Sequence, residues 1–533
     1  MSEQPQINLD EFNTITEGQG TILFPKKENV FYNPIQQFNR DLSVLAIRSW
    51  SEMYLKDVKV KNRKKRKSSE IDQTNEVNKT NDDTKNKEEV TRESNNEKYE
   101  ISTFKPKINI IEALSATGLR AIRYAKEIPN IGTVLANDLL PAAVENIDRN
   151  ILHNEVGVSV KSVCGDANAT MHAHASQHFQ VVDLDPYGTA APFIDAAVQS
   201  IDDGGLLLVT CTDLSVLAGQ GYPEKCFALY GGTNLRSDAT HESALRLVIS
   251  MVASSAAKYR KSVEPLLSLS IDFYVRVFIR IKTSPIEVKN LANNTMTCYL
   301  CSGCGAYTTQ RLGRAVPKED KPQVVKYSWS QGPPVDRHCE YCSRIHHVCG
   351  PMWAGDLHNA EFCDKILQLN EEVKESEVYK THERIKGMVT LAKNELDGSA
   401  PFYFSPSRVS SIIKIPCPSI TNIVAGIGNA GYKASLTHAA HGAIKTDAPW
   451  DVIWKIFKDH VKEKGLVTEE TLAKMNQNTV GYKLLTNDKI KPDLEVKFDK
   501  NSVVEGIEKL RKVKIVRYQM NPTKNWGPKA KPQ

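Results

Sequence analysis

Residues 108–127, INIIEALSATGLRAIRYAKE, join a short β-branched run to an amphipathic stretch through a turn with a single glycine, Gly118. The same alternation continues as far as Asp213, through TVLAND and PAAVENIDRNIL, VSVKSVCGDA, QVVDLDPYG and TAAPFIDAAVQSI, and GLLLVTCTD. It is typical of a parallel sheet with helices packed on its faces. It therefore predicts an α/β fold with a doubly wound, Rossmann-like sheet, to which LLSLSIDFYVRVFIRIK (266–282) adds two strands. Pro141 and Thr189 are predicted to mark two helix starts.

Composition limits the class of protein. The chain has 533 residues, of which 41% are apolar and 25% charged, so we expect two or three globular domains. The net charge of +6 permits a nucleic-acid partner only if the basic residues cluster. Because no apolar run reaches the roughly 18 residues of a membrane span, no membrane role is expected. The opening MSEQPQINLDEF carries three acids, unlike a mitochondrial transit peptide, which indicates a cytosolic or nuclear protein.

A polar insertion at 56–99 interrupts the chain with Lys, Asn, Glu, Ser and Asp and almost no large apolar residues. Such a segment buries too little apolar surface to offset the entropy lost on ordering, so it is predicted to be disordered. Within it, residues 61–67, KNRKKRK, match a nuclear-import type of basic cluster. A solvated run of charge is the alternative interpretation. The cluster favours a nuclear location, with a mitochondrial form through an alternative start left open.

Polar side chains follow the predicted strands where ligands of such sheets bind, beyond the carboxyl ends. The Gly118 turn has too few glycines for a dinucleotide fingerprint. Asp138 is placed to accept hydrogen bonds from ribose hydroxyls, Asp166 to accept from an adenine amino group, and Ala167 to leave room for the ring. Considered alone, either acid is as readily explained as a helix N-cap as by ligand binding. Together they indicate a nucleoside ligand without a diphosphate, which S-adenosylmethionine fits.

The fourth strand end carries Asp185, Pro186 and Tyr187, similar to the Asp/Asn-Pro-Pro-Tyr motif of amino-group methyltransferases. An exocyclic amine is a poor nucleophile because its lone pair is delocalised into the ring. A carboxylate and the proline carbonyl can accept its two N–H bonds and aim the lone pair at a methyl group. The aromatic ring can stack on an extruded base. The alternative is an Asp-Pro turn that merely begins a helix.

Two cysteine pairs with two-residue spacing, Cys301 with Cys304 and Cys339 with Cys342, predict a tetrahedral structural zinc site. Four thiolates leave no open coordination position, so the metal would stabilise a module rather than catalyse. Reduced cysteines without metal are the alternative. The roles of the flanking Cys298 and Cys349 stay open.

The C-terminal end is basic, because no acid follows Glu508. Eight cations and two aromatic rings do follow: Lys509, Arg511, Lys512, Lys514, Arg517, Lys524, Lys529 and Lys531, with Tyr518 and Trp526. This mixture suits phosphate contacts and base stacking, although a solvated tail is an equal alternative. His438 and His441 are interpreted as a polar pair rather than as metal ligands.

Longer motifs complete the pattern, namely FPKKENVFYNPIQQFNRDLSV, ALSATGLRAIRYA, ANDLLPAAVENI, DLDPYGTAAPFIDAA, LLLVTCTDLSVLAG, YGGTNLRSDATHESALRLV, SIDFYVRVFIRIKTSP, QGPPVDRHCEYC, KTDAPWDVIW and NPTKNWGPKA. Through them the chain closely resembles the eukaryotic tRNA (guanine(26)-N(2))-dimethyltransferases, especially the fungal ones, over nearly all of its length except the insertion. The resemblance implies a class I methyltransferase fold and methylation of the guanine amino group at position 26 of tRNA. It implies S-adenosylmethionine as methyl donor and, as a rule, a dimethyl product.

The resemblance also implies roles for individual residues. The cofactor contacts correspond to Arg40, Arg120, Asp138, Asp166 and Ala167, and the zinc ligands to Cys301, Cys304, Cys339 and Cys342. Asp185 corresponds to the acid that holds the base, beside Pro186, and Phe31 and Tyr187 to the aromatic rings that stack on it. Many relatives carry phenylalanine in place of Tyr187, which leaves stacking possible.

The resemblance suggests a role for Arg40. It follows FYNPIQQF, a segment that must fold over the cofactor cleft if Phe31 is to reach the base. The guanidinium can then bind the methionine carboxylate in bidentate fashion. A surface ion pair with Asp41 is the alternative.

Five regions are predicted. Residues 1–55 close over the cofactor cleft, 56–99 form the insertion, 100–290 the methyltransferase domain, 291–350 the zinc module, and 351–533 an α+β, tRNA-binding C-terminal domain with its basic tail. We expect tRNA as partner and no obligate protein partner. A methyltransferase acting on DNA adenine or protein glutamine is one rival, and a zinc-ribbon RNA-binding protein with an inactive methyltransferase fold is another. The presence of Asp138, Asp166 and Asp185 argues against the second.

Overall fold

A computed structural model describes residues 8–26, 32–57, 107–374, 378–513 and 516. Phe31, the basic cluster at 61–67 and most of the tail after Val513 lie outside the described residues. Predictions about those segments therefore stay predictions.

The N-terminal region is a hairpin followed by a long helix. Strands β1 (Phe12–Glu17) and β2 (Gly20–Pro25) are antiparallel, and helix α1 spans 37–57. The apolar side of β2, including Ile22 and Phe24, packs on the helix that follows the first strand of the central sheet. This places the N-terminal region against the turn that contains Gly118.

A seven-stranded sheet forms the centre of the molecule. Its strands are β3 (Ile108–Glu112), β4 (Ile131–Asp138), β5 (Val160–Cys164), β6 (Phe179–Leu184), β7 (Ile201–Cys211), β8 (Lys261–Ile271) and β9 (Tyr274–Thr283). They lie in the order β5-β4-β3-β6-β7-β9-β8. The first five are mutually parallel and β9 is antiparallel to both of its neighbours, so the two strands predicted in 266–282 are confirmed.

Helices cover both faces of this sheet, as the doubly wound prediction requires. They are α2 (Leu119–Glu127), α3 (Pro141–His153), α4 (Ala167–Ala173), α5 (Ile194–Ser200), α6 (Leu214–Leu217), α7 (Pro223–Tyr230), α8 (Thr240–Lys258) and α9 (Pro285–Val288). Helices α1, α2 and α3 share one apolar core with the sheet, and α4, α5 and α8 share the other. The predicted doubly wound, Rossmann-like α/β fold is therefore confirmed.

Two helix starts test the predicted caps. Pro141 is the first residue of α3, as predicted. Thr189 is not followed directly by α5, because a short 3₁₀ turn (Ala191–Phe193) intervenes. The Thr189 hydroxyl accepts a hydrogen bond from the Ala191 N–H at 3.1 Å, just before this turn, so the predicted start of α5 at Thr189 is wrong.

The zinc-module region contains two small sheets. Its strands are β10 (Thr295–Cys301), β11 (Tyr307–Arg311), β12 (Gly313–Pro317), β13 (Val325–Trp329) and β14 (His346–Trp353). Strand β10 pairs with β11 and β14, whereas β12 and β13 form a separate hairpin. Strand β14 packs on α8 and so joins the module to the central domain.

The C-terminal region mixes helices with one small sheet, which confirms an α+β architecture. Its elements are α10 (Ala360–Lys374), α11 (His382–Lys393), β15 (Tyr403–Phe404), α12 (Pro406–Ile413), α13 (Ile420–Asn429), β16 (Ala434–Leu436), β17 (Ile444–Thr446), α14 (Trp450–Glu463), α15 (Glu469–Lys474), α16 (Val480–Thr486) and α17 (Ser502–Lys512). Helices α10 and α11 share the core of the central sheet, so the predicted boundary at 351 stays a prediction. Throughout the described ranges, no helix combines the length and the apolarity needed to cross a bilayer.

Candidate active site at the carboxyl edge of the sheet

The turn after β3 requires glycine at position 118. Gly118 has φ +74°, and a Cβ atom there would lie 3.1 Å from Ile147, so a side chain would be both strained and crowded. The Ala116 N–H donates to Asp138 Oδ2 at 2.9 Å. This bond ties the turn to the acid at the end of β4.

Asp138 and Asp166 follow the adjacent strands β4 and β5. Asp138 also accepts from the Leu140 N–H through Oδ1 at 3.1 Å, which leaves further lone pairs on both oxygens. Asp166 is the N-cap of α4, and its Oδ1 accepts from the Ala169 N–H at 3.0 Å. The capping role that the sequence left open is therefore observed, while its Oδ2 has no hydrogen bond with any described residue. Ala167 is buried beside it.

Asp185 lies at the end of β6 and forms an ion pair with Arg120 of α2. Its side chain is 16% exposed, and only Oδ2 is engaged by described residues. Pro186 is buried. The carboxylate therefore has one oxygen fixed by a cation and a second oxygen available to a donor.

A buried polar network lies beneath this pair. Asp183 is fully buried and accepts from the Tyr124 hydroxyl at 2.6 Å and from Arg276 at 2.8 Å. Ser43 of α1 accepts from Arg276 at 2.8 Å and from Arg120 at 3.3 Å. One hydroxyl thus connects the two arginines. The sequence signal for this network is weak, an arginine inside the apolar run of β9.

Glu112 at the end of β3 is a second acid close to Arg120, with Oε1 3.9 Å from Arg120 Nε. Its Oε2 accepts from the Ser115 hydroxyl at 2.6 Å and the Ala121 N–H at 3.2 Å. Burial raises the pKa of Glu112 to about 8, although Ser115 and Arg120 oppose the shift. Glu112 is therefore mainly protonated at neutral pH, and Asp185 is the anionic partner of Arg120.

Arg40 is held by an acid that sequence analysis missed. Glu17 of β1 accepts from Arg40 Nε and Nη2, each at 2.6 Å, and Nη2 also donates to the Asn33 carbonyl at 2.9 Å. Asp41 is bound by Arg123 at 2.7 Å, so the suggested Arg40–Asp41 pair is wrong. Arg40 Nη1 has no hydrogen bond with the described residues and can still donate to a ligand.

Tyr187 lies at the mouth of the site and is 45% exposed. Burial of the rest of the ring, together with the Asp185 and Asp138 carboxylates, raises the pKa of Tyr187 well above its ordinary value, so the phenol is neutral. Its loop is fixed to the end of β7 by two hydrogen bonds of 2.8 Å that Gly188 and Thr212 exchange. The ring is thus presented on a rigid edge.

The four predicted zinc ligands come together in one buried cluster. Cys301 Sγ lies 3.4 Å from Cys342 Sγ, and Cys304 Sγ lies 3.7 Å from Cys339 Sγ. Tetrahedral zinc with Zn–S bonds of about 2.3 Å requires sulfur pairs about 3.8 Å apart, so the arrangement fits the metal. Gly305 and Ser343, each directly after a pair, have φ of +74° and +61°, which turns the backbone around the site.

A second cluster, His358, Glu395 and His438, does not fit a metal. The outer ring nitrogens accept backbone N–H groups, His358 Nδ1 from Ser268 at 3.3 Å and His438 Nε2 from Ser270 at 3.1 Å. The inner nitrogens therefore carry hydrogen and face Glu395, whereas a ligating nitrogen must be bare. Glu395 is a buried carboxylate that accepts a hydrogen bond from His438 Nδ1 at 2.6 Å, with Lys445 Nζ 3.5 Å and His358 Nε2 3.8 Å away.

Comparison with known proteins identifies the family. The model of the N2,N2-dimethylguanosine tRNA methyltransferase family matches residues 5–458. The mitochondrial tRNA (guanine(26)-N(2))-dimethyltransferase of Saccharomyces cerevisiae is 53% identical over 99% of this chain and 94% of its own length. The chain belongs to the N2,N2-dimethylguanosine tRNA methyltransferase family. The Schizosaccharomyces pombe enzyme is 46% identical over 97% of this chain and 92% of its own, and the human enzyme is 36% identical over 97% and 77%. The fungal resemblance is thus confirmed.

One solved structure has a similar fold. The complex of Trm1 from Pyrococcus horikoshii with S-adenosyl-L-methionine superposes with a TM-score of 0.62 at 24% identity, covering 83% of this chain and 99% of that one. It supports the class I fold, which the strand order shows independently.

The residues predicted to contact tRNA fall only partly within the described residues. Lys509, Arg511 and Lys512 lie in the last turn of α17. Phe31, Lys514, Arg517 and the other basic and aromatic residues of the tail lie outside the described residues.

Proposed function

We propose that this chain transfers methyl groups from S-adenosylmethionine to N2 of guanine 26 in tRNA, giving N2,N2-dimethylguanosine. In this proposal, different residues at the carboxyl edge of the central sheet bind the cofactor and the substrate amine. The observation that carries this proposal is Asp185, with Oδ2 paired to Arg120 and Oδ1 available beside the buried Pro186. Asp138 and Asp166 follow neighbouring strands at the same edge. The edge thus combines an amine acceptor with acids suited to a nucleoside.

Asp185 and Pro186 act on the substrate amine. The free carboxylate oxygen and the proline carbonyl accept its N–H bonds, which localises the nitrogen lone pair and directs it. Asp185 then takes the proton that methylation releases. Asp185 passes this proton to solvent and can then accept the one N–H that remains after the first transfer, so the same residue serves the second.

The chain's own residues fit the cofactor. When bound, S-adenosylmethionine supplies an electrophilic methyl group on a sulfonium. Asp138 would hold the ribose and Asp166 the adenine amino group, with Ala167 giving the ring space. Arg40 Nη1 and Arg120 are the cations available to the methionine carboxylate.

Base extrusion and RNA contacts complete the proposal. A stacked guanine must leave the tRNA helix, which costs a few kcal/mol. Phe31 and Tyr187 would offset that cost by stacking on the base, while the basic end of the chain contacts phosphates. The C-terminal domain is accordingly the proposed tRNA-binding region.

Zinc and localisation belong to the same proposal. Structural Zn²⁺ would be bound by Cys301, Cys304, Cys339 and Cys342 and so fix β10 to the loop before β14.

The basic cluster at 61–67 would direct nuclear import. Deleting 56–99 from a fluorescent fusion should then abolish nuclear accumulation, and retained accumulation would refute the import role.

Nucleoside mass spectrometry tests the activity. Purified full-length chain is incubated with labelled S-adenosylmethionine and an unmodified tRNA transcript, or with the same transcript carrying adenosine at position 26. We expect labelled N2,N2-dimethylguanosine from the first transcript alone. Label in another nucleoside, or equal label in both transcripts, would contradict the proposal.

A further inference from the structure

Ser43, in helix α1, is fully buried and contacts Arg120, the partner of Asp185. We propose that Ser43 is a positioning residue for methyl transfer, because its hydroxyl orients Arg120 and, through Arg120, the carboxylate of Asp185. This inference rests on the proposed function, in which Asp185 holds the substrate amine. It gives the N-terminal region a part in building the reaction centre, in addition to the predicted closure over the cofactor cleft.

Every hydrogen-bonding position of the Ser43 hydroxyl is used. Its hydrogen is donated to the Asn39 carbonyl at 2.6 Å, within α1. Its oxygen accepts from Arg276 Nη2 at 2.8 Å and from Arg120 Nη1 at 3.3 Å. A hydroxyl offers one donor and two acceptor lone pairs, so each lone pair serves one guanidinium. Two cationic side chains therefore share one neutral oxygen.

The contacts of Ser43 close a ring at the end of strand β6. Five side chains form this ring in the following order: Asp183, Arg276, Ser43, Arg120 and Asp185. Because Ser43 and Arg276 are fully buried, loss of the hydroxyl would leave guanidinium N–H groups without an acceptor. Ser43 is thus the link through which α1 holds both arginines in the ring.

Packing of α1 alone does not explain this arrangement. Ser49 of the same helix is also fully buried, and its hydroxyl donates to the Leu45 carbonyl at 2.8 Å, the same bond to the residue four positions earlier. Among the described residues, no guanidinium donates to Ser49. Both serines satisfy the helix in the same way, and of the two it is Ser43 that also holds the cations beside the reaction centre.

The contribution of Ser43 to the rate comes from geometry. Without its hydroxyl, Arg120 keeps the ion pair with Asp185 but loses a contact that fixes its direction, so the carboxylate can move with it. A displacement of about 1 Å near the reacting atoms can lower a rate by about 10²-fold, because the atoms leave the aligned geometry.

A double-mutant cycle of Ser43→Ala with Asp185→Asn tests the inference. Single-turnover rates on the tRNA transcript are measured at saturating S-adenosylmethionine and saturating tRNA, so weaker binding does not enter them. We expect Ser43→Ala to lower the rate at least about tenfold in the otherwise wild-type chain. In the Asp185→Asn background the loss should be less than about twofold, because the serine acts through that carboxylate.

Three further variants separate positioning from stability. Ser43→Thr keeps a hydroxyl that can donate to the same carbonyl, so it should restore most of the rate. Ser49→Ala removes the equivalent helix bond without touching the arginines and should keep the wild-type rate. Ser43→Cys fills the buried space but accepts hydrogen bonds poorly, so it should lose rate as Ser43→Ala does. It takes the place of Ser43→Ala in the cycle if the alanine variant does not fold.

Four outcomes would overturn the inference. They are a wild-type rate in Ser43→Ala or Ser43→Cys, an equal loss in Ser49→Ala, a Ser43→Thr rate no higher than that of Ser43→Ala, and a loss equally large with and without Asp185. Failure of the proposed function is distinguishable, because the wild-type chain would then form no N2,N2-dimethylguanosine, or Asp185→Asn alone would turn over normally.

Discussion

The guanidinium of Arg120, in the first turn of α2, is paired with the carboxylate of Asp185 at the end of β6. This pair connects the turn that we assign to cofactor binding with the acid that we assign to the guanine base. Ser43 and Arg276 support it from below, so Arg120 is oriented from two sides. Asp185 is therefore fixed through one oxygen before a substrate arrives, a form of preorganisation that reduces the cost of reaching the reactive geometry.

Glu17 is expected to position Arg40 for the cofactor. The bidentate contact of 2.6 Å occupies Nε and Nη2 and leaves Nη1 for a ligand carboxylate. In Glu17→Gln one of the two acceptors becomes a donor, so Arg40 should reorient and S-adenosylhomocysteine affinity should fall about tenfold. Calorimetry measures this affinity, with Glu11→Gln as control, because Glu11 is exposed in the 3₁₀ turn directly before β1. Equal affinity in all three proteins would show that Arg40 does not need Glu17.

Asp138 and Asp166 are expected to serve cofactor binding. Asp138→Ala should lower S-adenosylhomocysteine affinity through lost ribose contacts, and Asp166→Asn should lower it less, because asparagine preserves the N-cap of α4. At saturating cofactor, single-turnover rates should approach that of the wild type. If both variants bound S-adenosylhomocysteine normally, the nucleoside would have to lie elsewhere.

The sequence predicted the strand ends because they follow from local features, namely the spacing of apolar residues and the alternation of strands and helices along the chain. They could not reveal Glu17–Arg40 or Asp183–Arg276, since these partners lie 23 and 93 residues apart and only the tertiary fold joins them. Buried arginines of this kind still leave a trace, a cation inside an apolar strand such as Arg276. His438 has the opposite outcome, because this residue of a pair that looked polar is buried against Glu395, whereas His441 is exposed.

One zinc per chain is expected, bound by the four cysteines. Cys301→Ser should abolish zinc binding and lower the unfolding temperature, because the metal contributes folding free energy. His438→Gln should retain the zinc, since the second cluster has its protons on the inner nitrogens. Metal analysis of the two variants decides the matter. Zinc kept in Cys301→Ser, or lost in His438→Gln, would reverse the assignment.

Glu112 should make stability depend on pH. Its pKa rises from 4.5 to about 8 in the folded chain. Between these values the folded chain keeps a proton that the unfolded chain has released, so the contribution of Glu112 to stability declines as pH rises through this window. Glu112→Gln cannot ionise, so its unfolding midpoint relative to the wild type should rise from about pH 5 to about pH 9. A constant or falling difference would show that Glu112 ionises normally.

The most direct test of the account is the single-turnover rate of Asp185→Asn on tRNA at saturating S-adenosylmethionine. The substitution preserves the size of the side chain but removes the proton acceptor. We predict a rate at least about 10²-fold lower, with S-adenosylhomocysteine and tRNA affinities within about threefold of the wild type. A rate close to that of the wild type would contradict the assignment of Asp185 as the residue that holds and deprotonates the guanine amine.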